Sequence, residues 1–117
     1  MEEIVLEVDD SFGKEYMGRY VFKPITWGTY AKIMQKHSVA KQAVVYTDDT
    51  KMNAELILAT LKTQPETNPV TFESLTSEEA GKGVPPLLGA KLLECACKVA
   101  GLNRNEFFRV SGGVAEK

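Results

Sequence analysis

The 117-residue chain carries one histidine, two cysteines and one tryptophan, and has no long apolar run. A bilayer-spanning helix needs about 20 consecutive apolar residues, and the apolar stretches here stop far short of that. The two cysteines, Cys95 and Cys97, are separated by a single residue. On a helix they project about 200° apart, so they can neither bridge each other nor grip one metal ion. A disulfide framework is thereby excluded, and reduced thiols fit a cytosolic setting. A basic excess is also missing. Fourteen Lys and Arg stand against sixteen Asp and Glu, a net charge of −2, which disfavours binding to a nucleic-acid backbone. Met1-Glu2-Glu3 is acidic where a signal peptide is basic. The expected location is the cytoplasm, with neither membrane nor nucleic acid as partner.

What is present is ordinary for a globular protein: 44% hydrophobic and 26% charged residues. The length corresponds to one domain, which at this size buries roughly two thirds of its unfolded surface. One globular unit is expected over residues 1–110, with 111–117 as a flexible tail.

Ile4 to Val8 alternates apolar residues onto one face, as a strand does. Asp9 to Gly13 is turn chemistry. Arg19 to Lys23 is a second strand, rich in aromatic and β-branched residues and ended by Pro24. The two can pair as a hairpin with a long connection. Thr26 stands where a helix N-cap belongs, and Trp27, Tyr30, Ala31 and Met34 follow on one face of a helix over about 27–37. Ser38 to Thr50 reads either as a third strand or as an ordered loop. Lys51 to Thr63 has helical spacing through Ala54, Ile57, Leu58 and Leu61. Pro65 and Pro69 impose a loop over 64–70. Thr76-Ser77-Glu78-Glu79 fits a capping box for a short helix within 71–82. Pro85-Pro86 opens a helix over 86–100, with the stripe Leu88, Leu92, Cys95, Ala96 and Val99 and with Gly101 just beyond its end. Asn103 can cap a last turn carrying Phe107 and Phe108. These elements predict an α+β fold, mainly helical, with an N-terminal β-hairpin packed on three to four short helices. Leu58 and Leu92 are expected in its core, and Cys95 is expected to be shielded while Cys97 faces the other way.

Catalytic groups are sparse. His37 is the one candidate for a general base, a metal ligand or a phosphorelay residue, and at a helix end it reads more simply as a dipole or solvent residue. A Ser–His–Asp type of hydrolase would have to use it, yet neither cysteine sits in a nucleophile elbow. Asp9-Asp10 and Asp48-Asp49 lack the spacing of a calcium loop and read as turn and cap residues. Gly81-Lys82-Gly83 and Ser111-Gly112-Gly113 lack the setting of a phosphate loop. No catalytic residue, metal ligand or cofactor is therefore assigned. Trp27, Tyr30, Met34, Phe107 and Phe108 are the candidate partner-binding residues, since aromatic side chains dominate interface hot spots. At helical spacing with Tyr30 and Met34, Trp27 also reads as core.

Three segments carry a resemblance. Phe22-Lys23-Pro24-Ile25-Thr26-Trp27-Gly28-Thr29-Tyr30 is a strand stepping through Ile-Thr-Trp-Gly into a helix. Glu55 to Leu61 is a helix ahead of a proline loop. Pro86-Leu87-Leu88-Gly89-Ala90-Lys91-Leu92-Leu93-Glu94 opens a late helix. In this order, over roughly residues 20–100, the chain resembles the tail assembly chaperones of long-tailed phages and prophages, from which Thr76 to Gly83 departs as an insertion. The resemblance implies a non-enzymatic protein in the host cytoplasm that binds a helical tape-measure protein and aids assembly of tail-tube subunits. A small self-associating structural or regulatory module of a virus or mobile element, working as a homo-oligomer, is the alternative.

Overall fold

The computed structural model describes residues 2–41 and 44–102. The first strand, β1, is Ile4–Val8 and the second, β2, is Gly18–Phe22. They pair antiparallel over five residues, from Ile4 opposite Phe22 to Val8 opposite Gly18. The connection is two short 3-10 turns, Asp10–Phe12 and Lys14–Tyr16. Asp9 caps the first by accepting from the Ser11 N–H at 3.0 Å. Along β1 the residues alternate half-buried and exposed up to Val8, which is buried, so the apolar alternation does set the core face.

Helix α1 is Trp27–Lys36, with the Thr26 side chain accepting from the Thr29 N–H at 3.2 Å. The ambiguous stretch after it forms a separate antiparallel pair, β3 (Ser38–Lys41) with β4 (Val44–Thr47). The Asp48 N–H donates to the His37 carbonyl at 2.8 Å and closes the base of that pair. Asp48 then caps α2 (Asp49–Thr60), its carboxylate accepting from the Lys51 N–H at 3.1 Å. Both aspartate pairs thus include a cap, as the sequence suggested.

Helix α2 stops three residues before its expected end. Leu61–Thr63 leaves the helix as β5 and becomes the third strand of the N-terminal sheet, in the order β1-β2-β5. Phe22 faces Leu61 and Val21 faces Thr63, with a register shift between them. The Lys23 N–H donates to the Thr60 carbonyl at 2.7 Å, tying the junction to the sheet. The buried face of α2 is Met52, Ala54, Leu56, Ile57 and Thr60. Leu58, expected in the core, is half-buried. The Thr60 hydroxyl is satisfied within its helix by the carbonyls of Leu56 and Ile57 at 2.9 and 3.0 Å, so it costs little to bury.

The two-proline loop is held by one side chain. Gln64 accepts from the Val70 N–H at 2.7 Å and donates to its carbonyl at 3.2 Å, as a strand neighbour would. The short helix α3 is Phe72–Thr76, capped by a reciprocal box between Thr71 and Ser74. The box expected at Thr76 to Glu79 does not form, because Thr76 is the last helical residue and its hydroxyl donates back to the Phe72 carbonyl at 2.9 Å. Helix α4 is Pro86–Val99, with proline in the first turn and Gly101 at a positive φ of 78° after the end.

The fold is thus α+β: a three-stranded antiparallel sheet with four α-helices among the described residues. Helix α4 contacts β1 and β2, and α2 contacts α1, α3 and α4. Tyr20, Phe22, Leu88, Leu92 and Val99 are fully buried in this core, and the Tyr20 hydroxyl donates to the Tyr16 carbonyl at 2.9 Å. No helix among the described residues is long and apolar enough to cross a membrane.

Candidate partner-binding site

The aromatic residues of α1 separate sharply in exposure. Trp27 is 74% exposed, whereas Tyr30, one turn later, is 7% exposed and belongs to the core. Their ring centroids lie 5.7 Å apart with the planes tilted by 45°. Burial raises the Tyr30 phenol above its ordinary pKa. Met34 is half-buried against the same core. Of the candidate anchors, Trp27 alone is freely presented on α1, and Tyr30 forms its base. Reading Trp27 as core is corrected by this geometry: it occupies the first helical position, where Tyr30 and Ile33 of the following turn already fill the interior. Phe107 and Phe108 lie outside the described residues, as does the tail over 111–117.

The capped first turn makes this a firm mount. Thr26 supplies both the side-chain cap and the carbonyl that accepts from the Tyr30 N–H at 3.1 Å. The arrangement offers a large apolar surface on a rigid element, which is what an interface anchor requires.

A second cluster joins α1 to α2. His37, at the C-terminal cap of α1, is not solvated as a helix-end residue would be. Its side chain is 8% exposed, and its Nε2 lies 3.3 Å from the Glu55 carboxylate. The Lys36 ammonium donates to the same oxygen at 2.6 Å. The Lys36 bond, with the His37 contact beside it, holds the Glu55 carboxyl below its usual pKa. The Phe72 ring stacks on the imidazole at a centroid distance of 6.4 Å. A shallow cleft beside them is lined by Lys36, His37, Lys51, Glu55, Leu58 and Phe72. The polar groups of that lining are two ammonium groups, one carboxylate and the imidazole, and the contacts among Lys36, His37 and Glu55 tie the two helices together. The cluster is a tertiary clasp between helices.

The cysteines are not divided between core and solvent. Both are half-buried and pack against the core on either side of fully buried Ala96, because a 14-residue helix set between a sheet and α2 is covered over most of its girth. Burial pushes the Cys95 thiol above its ordinary pKa, which lowers its thiolate fraction and reactivity. Among the described residues no group of three His, Cys, Asp or Glu side chains is placed to hold a metal ion.

No protein-family model, curated protein or solved structure matches the chain. The His37–Glu55 clasp had no signal in the sequence, since its members are 18 residues apart with no common motif. The exposure of Trp27 had a partial one: the apolar stripe of α1 is complete from Tyr30 onward without it.

Proposed function

We propose that this protein is a non-enzymatic tail assembly chaperone of a phage or prophage, acting in the host cytoplasm. In this reading it holds an amphipathic helix of a tape-measure-like partner along α1 and aids assembly of tail-tube subunits. The observation that carries the reading is the exposed indole of Trp27 seated on buried Tyr30. An isolated helix of a long partner presents apolar residues at i, i+3, i+4 and i+7 and needs such an anchor while it waits for assembly. The resemblance over residues 20–100 supplies the biological setting.

The test is co-expression with the long helical product of a neighbouring gene. The partner stays soluble with this protein and aggregates without it or with Trp27→Ala. Equal solubility in all three cases refutes the reading. The self-associating module is the second reading, favoured by the exposed apolar side chains of Val5, Met17 and Leu87 away from α1. A discrete oligomer by light scattering, together with no effect on partner solubility, would establish it.

A further inference from the structure

Strand β1 lies at one edge of the three-stranded sheet, and no strand among the described residues pairs with its outer side. Alternate residues along it therefore direct their N–H and C=O groups away from the sheet. The usual protections of such an edge are missing. Ile4–Val8 contains no proline and no lysine, and its register with β2 is unbroken. Its one charge, Glu7, is taken up by Arg19 at 2.9 Å on the neighbouring strand.

A groove of about 360 Å³ opens at the C-terminal half of the strand, lined by Leu6 to Asp9 and by Ser11 and Phe12 of the following turn on one side, and by Leu87 and Lys91 of α4 on the other. Side chains of a strand alternate between its faces, so the consecutive lining residues Leu6, Glu7 and Val8 bring the groove to the backbone edge over the last part of β1. Leu87 and Lys91 are one turn apart on α4 and share a side of that helix. Leu87 is 62% exposed and forms an apolar wall. The site therefore combines unpaired backbone groups with a seat for an apolar side chain.

Charge selects the occupant. Residues 2–13 contain five carboxylates, those of Glu2, Glu3, Glu7, Asp9 and Asp10, and no Lys or Arg. Lys62 takes up Glu3 at 2.7 Å, as Arg19 takes up Glu7, and Lys91 of α4 faces Asp9 across the groove, while Glu2 and Asp10, exposed at the two ends of the strand, have no cation beside them among the described contacts. A second copy adding its own β1 antiparallel about Leu6 would set Glu3 opposite Asp9 and Glu2 opposite Asp10 at both ends. Like charges directly opposed destabilise a strand pair. We propose that the free edge of β1 is a strand-addition site for an extended segment of a protein partner, apolar at alternate positions and carrying Lys or Arg at its ends. This surface is separate from α1 and does not depend on the reading of Trp27.

The experiment titrates the full ¹⁵N-labelled chain with the capped peptide Lys-Val-Thr-Val-Thr-Val-Lys and follows amide shifts and hydrogen exchange. Alternate amides of residues 4–8 gain protection on binding. The Glu-flanked peptide binds roughly five- to tenfold more weakly, with a gap that narrows at high salt. A Lys-flanked peptide N-methylated at alternate positions does not bind, because it keeps the charge and loses the ladder donors. The double variant Glu2→Lys with Asp10→Lys reverses the preference between the two flanked peptides. Shifts confined to other elements overturn the proposal, as does equal binding of the N-methylated peptide. Outer-edge amides already protected in the free protein also overturn it, since the edge would then be occupied by this chain or by another copy of it.

Discussion

Trp27 and Tyr30 stand one turn apart on the same helix with their rings 5.7 Å apart, yet the first is 74% exposed and the second 7%. Truncating each should therefore act on a different property. Tyr30→Ala removes a buried ring and should cost about 3–5 kcal/mol of stability, as large-to-small core changes do. Trp27→Ala should shift stability by no more than about 0.5 kcal/mol. With a helical partner it should weaken binding by about 2 kcal/mol or more. Urea midpoints and titration calorimetry separate the two effects. Since Trp27 is the one tryptophan in the chain, its emission should be solvent-like in the free protein and move to the blue when the partner covers it.

Leu92 and Leu58 both lie on apolar stripes, and the packing separates them. Leu92 is fully buried beside Leu88 and Ala96, whereas Leu58 is half-buried on the wall of the His37 cleft. Leu92→Ala should cost about 2–5 kcal/mol and Leu58→Ala about 1 kcal/mol. Urea denaturation of both variants checks the order. Equal losses would mean that α2 presents a different face to α4.

The Glu55 clasp should carry a pH signature. The Lys36 ammonium, helped by His37, holds the Glu55 carboxyl below its ordinary value. A carboxyl depressed in the folded state adds stability that is complete above the unfolded pKa of about 4.3. That contribution fades as pH falls through the folded value. Glu55→Gln should therefore be less stable than the parent at pH 6, and the gap should shrink by pH 3. Because Lys36 is largely exposed, the Lys36 part of the gap should stay below about 1 kcal/mol. Chemical denaturation at the two pH values measures it, and a gap that grows toward pH 3 would contradict the assignment.

The legible parts of this fold are those whose causes are local. Alternation at Ile4–Val8, the cap at Thr26, the proline at 86 and the glycine at 101 each act within a few residues, and each produced the element it announced. Strand β5 could not be read in this way. Leu61 continues the apolar spacing of α2, and what ends the helix there is a ladder to Val21 and Phe22, some 40 positions earlier. Local periodicity carries no trace of such a pairing. The cap of the short helix α3 is a related case. The box expected at Thr76 forms instead at Thr71 with Ser74, in a helix that the distant Val84 N–H ties down by donating to the Ser74 carbonyl at 2.9 Å. At the candidate site, the residue types on α1 were legible and their exposure was not, because exposure depends on which neighbours fill the interior first.

Gly18 gives a test of how the sheet is tied to the proline loop. It begins β2 opposite Val8 at a positive φ of 142°, a region that residues with a side chain rarely occupy. A Cβ at this position would lie 2.6 Å from the Pro65 Cγ in the loop after β5. Gly18→Ala therefore meets backbone strain and a steric clash together, and should cost about 2–4 kcal/mol. Gly81 separates the two causes. Its φ of 86° is also positive, but nothing lies within 4 Å of a Cβ built there, so Gly81→Ala should cost only about 1–2 kcal/mol. The clash can be isolated further with Pro65→Ala, which removes the ring carbon that Gly18→Ala would strike. In a double-mutant cycle the two changes should be non-additive by about 1 kcal/mol or more, the pair being more stable than the sum of the single losses predicts. Thermal or urea unfolding of the four proteins gives the coupling. Strict additivity would show that the loop yields freely and that the backbone angle alone requires glycine at this strand end.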